Sequence, residues 1–215
     1  MGKYTTIIFD LDGTLLNTLD DLVDSVNYVM TYLGFPGKSR REVRNYVGNG
    51  MRRLMELSLP QNVDPHQIEQ AFSIYRDYYT EHCRVKTKPY GGILELLGTL
   101  KKSGYKMAIV SNKNDAAVRA LRDIYFSEYI ETAIGEKENI RKKPAPDTVL
   151  QALKELNSSK GETLYIGDSE VDKQTADNAG MQCVLVSWGF RDKEQLETLM
   201  PAGVIDSPLE LLDFL

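Results

Sequence analysis

Cysteine and histidine are scarce. The 215 residues hold two of each, Cys83 and Cys183, His66 and His82. Two cysteines without paired spacing make neither a disulfide framework nor a zinc site, and they point to a reducing, cytoplasmic setting. Two histidines leave little material for imidazole chemistry, so a mechanism here has to run on carboxylates, lysine and hydroxyls. Positive charge is short as well. The chain has 26 Lys and Arg against 31 Asp and Glu, a net charge of −5, and so lacks the electrostatic footprint of a nucleic-acid binder. No apolar run approaches the ~18 residues of a membrane helix, and the stretch from Met1 to Asp10 has no signal-peptide anatomy. Met1-Gly2 with Thr6 fits a loose N-acylation pattern. Thr6, however, falls in a strand-like run that a modifying enzyme would not reach. What is present, 42% hydrophobic and 27% charged residues, suits a globular chain and excludes disorder and fibrous repeats.

Short apolar runs recur between helical patterns. Thr5–Phe9, Lys106–Val110, Thr163–Ile166, Cys183–Val186 and Val204–Ile205 read as strands. Several are apolar at consecutive positions, as strands covered on both faces should be. Helices are expected over Ile93–Lys102, Asp115–Ile124, Pro146–Leu156 and Val171–Ala179. The first and last of these stop at glycine, which accepts the left-handed conformation cheaply. A final helix is expected to open at Ser207-Pro208-Leu209-Glu210, a capping box with proline at its first position. Strands alternating with helices imply a parallel, doubly wound α/β sheet.

Residues 19–83 break the alternation and read as helices only. Leu19, Leu22, Val23, Val26, Met30 and Leu33 form one apolar stripe. Ser39-Arg40-Arg41-Glu42 opens a second helix with a capping box, Met51–Leu59 makes a third, and Asp64-Pro65 opens a fourth with Ile68, Ala71, Phe72, Tyr75 and Tyr79 on one face. The expected organisation is a core domain of residues 1–15 and 86–215, interrupted by a four-helix cap domain of residues 16–85. Hinge strands are expected near Leu16–Thr18 and Lys86–Tyr90.

Four stations carry chemistry. The first strand delivers Asp10-Leu11-Asp12-Gly13-Thr14, two carboxylates that repel unless a cation offsets them. A later strand runs into Ser111-Asn112, whose hydroxyl and amides suit phosphate oxygens. Prolines 144 and 146 fix a turn that aims Lys143. A further strand ends in Gly167-Asp168-Ser169-Glu170-Val171-Asp172, with carboxylates one helical turn apart. All lie at the carboxyl ends of strands, where open α/β sheets bind ligands.

Together these motifs resemble those of the haloacid dehalogenase-like superfamily, and within it the phosphoglycolate phosphatase-like phosphohydrolases with a helical cap. The cap segment Val43–Gly50 is similar to theirs too. The resemblance implies a Rossmann-like core and a Mg2+-dependent phosphatase acting through an aspartyl phosphate. Asp10 would be the nucleophile and Asp12 the general acid and base, with Ser111 and the Asn112 amide on the transferring oxygens. Lys143 would neutralise charge. The resemblance places Mg2+ on Asp10, the main-chain carbonyl of Asp12, and Asp168, with Asp172 and Ser169 behind them. Asp12 sets the chain apart from the dehalogenases themselves, whose halide leaving group needs no proton. A phosphomutase of the β-phosphoglucomutase kind, a pyrophosphatase and a nucleotidase share these motifs and stay open. A non-catalytic binding module would require the loss of a catalytic group, and none is missing. A dinucleotide oxidoreductase is disfavoured because Gly48-Asn49-Gly50 follows a helix and lacks a third glycine.

The expected partner is a small phosphate ester, with no nucleic acid, no membrane, and a monomer or weak homodimer. For the substrate, 2-phosphoglycolate is the first candidate. Gly50 lets the backbone approach a ligand, the helix start near Met51 favours an anion, and Arg52 or Arg53 would pair with a substrate carboxylate.

Overall fold

The computed structural model describes residues 3–215, so the Met1-Gly2 start of the acylation pattern lies outside the described residues. Strand β1 (Thr6–Phe9) leads through a two-residue strand, β2 (Leu16–Asn17), into four helices: α1 (Leu19–Tyr32), α2 (Arg40–Tyr46), α3 (Met51–Ser58) and α4 (Pro65–His82). After β3 (Lys88–Pro89) the chain alternates through α5 (Ile93–Lys102), β4 (Lys106–Asn114), α6 (Asp115–Tyr125), β5 (Thr132–Glu136) and α7 (Asp147–Glu155). It continues as β6 (Thr163–Gly167), α8 (Glu170–Ala179), β7 (Gln182–Val186), α9 (Lys193–Glu197) and β8 (Gly203–Ile205). Packing divides it into two compact units, Met1–Leu16 with Pro89–Leu215, and Asn17–Lys88.

In the first unit six parallel strands run in the order β5-β4-β1-β6-β7-β8. Neighbouring residues of one strand serve opposite faces. Ile7 and Phe9 of β1 join Met107, Ile109, Leu164 and Ile166 on one face, against Leu96, Leu97 and Leu100 of α5 and Val118 and Leu121 of α6. Ile8 joins Ala108, Val110, Tyr165 and Leu185 on the other, against Val149 and Ala152 of α7 and Ala176 and Ala179 of α8. Both faces being covered is why these strands read as unbroken apolar runs. The arrangement is the expected doubly wound α/β sheet.

Four details differ from the sequence reading. β5 is absent from it, because Gly135 interrupts a five-residue strand. The short helix α9 is likewise absent from it. β4 runs on through Asn114, so Ser111, Asn112 and Lys113 belong to the strand, where pairing with β5 shifts register between Val110 and Asn114. Finally, Pro208–Phe214 is a 3-10 helix. There the Ser207 hydroxyl donates to Glu210 Oε1 at 2.9 Å and makes no backbone cap.

The second unit is the expected helical insert. Leu19, Leu22, Val26, Val29 and Met30 of α1 are buried, as are Ala71, Tyr75 and Tyr79 of α4, while Val23, Leu33, Ile68 and Phe72 are half-buried. The α2 capping box forms as read, with Glu42 N–H on Ser39 Oγ and Ser39 N–H on Glu42 Oε2. Asp21, in the first turn of α1, is buried although charged. Its carboxylate accepts from Lys86 N–H at 2.9 Å, Thr87 N–H at 2.9 Å and the Thr87 hydroxyl at 2.8 Å. These bonds clasp the last residues of the unit to its first helix.

Candidate active site

The central strand supplies the first acid. Asp10 N–H continues the β1 ladder by donating to Ile166 O at 2.8 Å, which fixes the Asp10 backbone at the carboxyl end of the strand. Gly13, at φ +90°, then turns the chain away from the sheet. β4 and β6 flank β1, so their carboxyl ends bring Ser111 and Asp168 beside it.

Lys143 stands among the acids. Its Nζ lies 2.7 Å from Asp10 Oδ1, 2.7 Å from Asp172 Oδ1 and 3.2 Å from the Tyr165 hydroxyl. Burial works against the charged ammonium, but Asp10 and Asp172 outweigh it and hold the lysine well above its usual range. Asn112 Nδ2 donates to Lys143 O at 3.0 Å, so this side chain anchors the lysine backbone. Asp172 Oδ2 accepts from the Ser169 hydroxyl at 2.6 Å and from Asp168 N–H at 3.3 Å. Asp172 therefore ties Lys143 to the Asp168 backbone.

Asp10, Asp168 and Asp172 each place a carboxylate oxygen within 4.8 Å of the others, and all three are buried. Burial pushes the Asp10 carboxyl up to about 7 despite Lys143 beside it, and Asp172 adds to the rise. Asp168 is raised well above the ordinary carboxylate range, first by burial and then by its acidic neighbours. Its Oδ2 accepts from Phe190 N–H at 2.7 Å.

Space around Asp168 is reserved by glycines. A Cβ on Gly13 would lie 2.3 Å from Asp168 Oδ2, and one on Gly189 would lie 2.4 Å from Asp168 Cβ and 2.6 Å from Gly13 O. A Cβ on Gly167 would meet Asp172 at 2.3 Å. No side chain fits at these positions, so both acids sit directly against backbone.

The donor set fits a divalent cation. Four carboxylates, Asp10, Asp12, Asp168 and Asp172, face two ammonium groups, Lys113 and Lys143, which leaves an excess of two negative charges when all are ionised. The available ligand atoms are hard carboxylate oxygens.

Other residues join the site without having been singled out in the sequence. Lys113 Nζ lies 3.0 Å from each carboxylate oxygen of Asp12. Tyr165 donates to Asp172 Oδ1 at 3.1 Å, and burial holds its phenol protonated well above the usual range. Gly189 and Phe190 contribute a missing side chain and a backbone N–H. Their one sequence signal is position, just after the carboxyl end of β7.

The second unit holds Gly50, Arg52 and Arg53. Gly50 caps α3 at φ +86°. Arg52 makes a two-pronged pair with Glu69 at 2.6 and 2.9 Å and lies over the Phe72 ring, and Arg53 pairs with Glu56 at 3.0 Å. Both arginines thus already hold a carboxylate partner within the helical unit.

A family model described as haloacid dehalogenase-like hydrolase matches residues 7–186. A phosphoglycolate phosphatase of Aquifex aeolicus is 31% identical over 96% of this chain and 94% of its own length. An N-acetylmuramic acid 6-phosphate phosphatase of Pseudomonas aeruginosa is 30% identical over 99% of this chain and 95% of its own. The crystal structure of a candidate phosphoglycolate phosphatase from Lactobacillus delbrueckii superposes with a TM-score of 0.93 at 33% identity, covering 97% of each chain. No helix among the described residues is long and apolar enough to cross a membrane. With its sheet order, its buried acids around one lysine and these relatives taken together, the chain belongs to the haloacid dehalogenase-like hydrolases and is an enzyme of their phosphoglycolate phosphatase-like branch.

Proposed function

We propose that this enzyme hydrolyses a small phosphate monoester through an aspartyl phosphate on Asp10, with Mg2+ as its cation and 2-phosphoglycolate as the first substrate to test. The observation that carries the reading is the cluster of Asp10, Asp168 and Asp172 around buried Lys143. Asp10, Asp168 and the main-chain carbonyl of Asp12 would hold the cation. When bound, it supplies positive charge opposite the phosphoryl oxygens.

The chain's own residues then divide the work. Lys143 orients the Asp10 carboxylate by holding Oδ1, and it offsets the charge of nucleophile and phosphoryl group together. A carboxylate oxygen of Asp10 attacks phosphorus in line, and the bond from phosphorus to the ester oxygen breaks. Asp12 gives that oxygen its proton. In the second half, Asp12 takes a proton from water as the water oxygen attacks the same phosphorus. The bond to Asp10 breaks, inorganic phosphate leaves, and both carboxyl groups return to their starting states. Ser111 and the Asn112 amide bind transferring oxygens. Asp172 and Ser169 keep Lys143 and Asp168 in place.

The relatives' names support a phosphate ester of a small acid or sugar acid as the substrate class. In this reading Arg52 or Arg53 takes the substrate's carboxylate by exchanging it for Glu69 or Glu56. Initial rates on a panel of phosphate esters with Mg2+ test the proposal. The expected result is turnover of a small monoester that Asp10→Asn abolishes. Turnover that survives Asp10→Asn would remove the nucleophile. A wild-type preference for pyrophosphate or hexose phosphates would remove the substrate.

A further inference from the structure

We infer that Lys113 is the positioning residue for Asp12, holding the acid-base carboxyl group in line with the leaving oxygen. The inference rests on the phosphatase reading above. Of the two lysines in the acidic cluster, Lys143 serves Asp10 and Asp172, whereas Lys113 serves Asp12. The contact is symmetrical, with Nζ 3.0 Å from Oδ1 and 3.0 Å from Oδ2. A carboxylate on a glycine turn is free to rotate, and two contacts to one ammonium remove that freedom.

The lysine is the better anchored partner. Its side chain is 3% exposed, against 16% for Asp12. It leaves β4 where pairing with β5 shifts register, an irregularity of the kind that re-aims side chains. Its backbone is fixed from the neighbouring strand by Gly135. A Cβ there would lie 2.5 Å from both Lys113 O and Asp115 Cα. Gly135 N–H also donates to Asp115 Oδ1 at 2.9 Å. Lys113 N–H lies 3.3 Å from Ser111 Oγ, so the phosphate-binding hydroxyl and the ammonium share one pinned segment.

Burying an ammonium is costly, and two apolar side chains would pack as well. The chemistry gives the pair a use. As Asp12 hands its proton to the leaving oxygen, negative charge appears on the two atoms that Lys113 contacts. An ammonium already in place stabilises that charge without reorganising. The benefit should therefore scale with how much proton transfer the leaving group needs.

The test compares wild type, Lys113→Met, Asp12→Asn and the double variant, with Lys113→Gln as a second replacement should the methionine variant lack a cooperative melt. Each is assayed with Mg2+ on 2-phosphoglycolate, or failing that the alkyl ester of the panel turned over fastest, and on p-nitrophenyl phosphate, whose leaving group needs little protonation. We expect Lys113→Met to lower kcat on the alkyl ester by about tenfold to a hundredfold. KM should stay within about twofold, and the first-turnover burst of p-nitrophenol from the aryl ester, which comes before Asp12 serves as base, should slow by no more than about threefold. Added to Asp12→Asn, it should cost nothing further, because the group it positions is gone. A burst slowed as much as alkyl-ester turnover, a loss carried by KM, or additive losses in the double variant would overturn the inference and leave Lys113 a structural or substrate-contacting residue. A wild type inert on every ester, or an active Asp10→Asn, would instead defeat the phosphatase reading itself, and the inference with it.

Discussion

Replacing Asp10 should make the cation-free protein more stable. Asp10 is buried, and its carboxyl is pushed up to about 7 from 3.8. Between those two values the folded protein keeps a proton on Asp10 that the unfolded chain releases. The folded state therefore loses stability as pH rises through that window, opposite to the usual salt-bridged aspartate. At about 1.4 kcal/mol per pH unit, the full rise amounts to about 4 kcal/mol by pH 8. Asparagine mimics the protonated acid and does not titrate. Cation-free Asp10→Asn should therefore match wild type near pH 4 and exceed it by about 4 kcal/mol at pH 8. Saturating Mg2+ should close the gap by stabilising wild type, since it supplies the charge that the buried carboxylates lack. Urea denaturation followed by circular dichroism at pH 4, 6 and 8, with EDTA or with Mg2+, measures each arm. The difference between the two proteins is the quantity to read, because groups that do not face Asp10 titrate alike in both. An Asp10→Asn protein no more stable than wild type at pH 8, or a gap unchanged by pH, would refute the reasoning.

Asp12→Asn should accumulate phosphoenzyme from p-nitrophenyl phosphate, visible as added mass after a rapid acid quench. Full turnover without that species would take Asp12 out of the reaction. Gly189→Ala should weaken Mg2+ affinity by about tenfold or more, because its Cβ would fall 2.4 Å from that of Asp168. Isothermal titration gives the affinity directly, and an unchanged value would mean that Asp168 yields without cost. Arg52→Ala should lower kcat/KM for 2-phosphoglycolate by about tenfold to a hundredfold while sparing p-nitrophenyl phosphate. Equal losses on both would show that Arg52 only organises the helical unit with Glu69. Asp21→Ala strands the Lys86 and Thr87 amides that its carboxylate accepts and should cost about 2–4 kcal/mol in urea melts. A loss below about 0.5 kcal/mol would mean that water replaces the clasp.

What could be read from the chain was whatever acts through a side chain in a patterned setting. Asp10 and Asp12 announce themselves because β-branched residues run straight into acids and a glycine. Lys143 and Asp168 stand at the same edge of the same sheet. Lys113 sits in Ser-Asn-Lys-Asn, where the hydroxyl and the amides draw the chemical reading, and it lies buried against Asp12 in the irregular part of β4. Gly189 and Phe190 act through an absent Cβ and a backbone N–H, neither of which has a side-chain signature. β5 is hidden by Gly135, the residue that closes on Lys113 O. Arg52 could not disclose its partner, because Glu69 is recruited from a different helix of the same unit.

The strand order has a consequence for how such enzymes diversify. Every partner named above for Asp10, Asp12, Lys143, Asp168 and Asp172 is supplied by Met1–Leu16 or Pro89–Leu215, and β1 lies between β4, which carries Lys113, and β6, which leads into Asp168. The helical segment Asn17–Lys88 enters the chain just after β1 and its acids, yet contributes none of those bonds. Its sequence can drift, lengthen or be exchanged while the charge balance of the acids and lysines stays intact. In the reading proposed above, where Arg52 or Arg53 takes the substrate's carboxylate, selectivity and reactivity then become separately heritable traits.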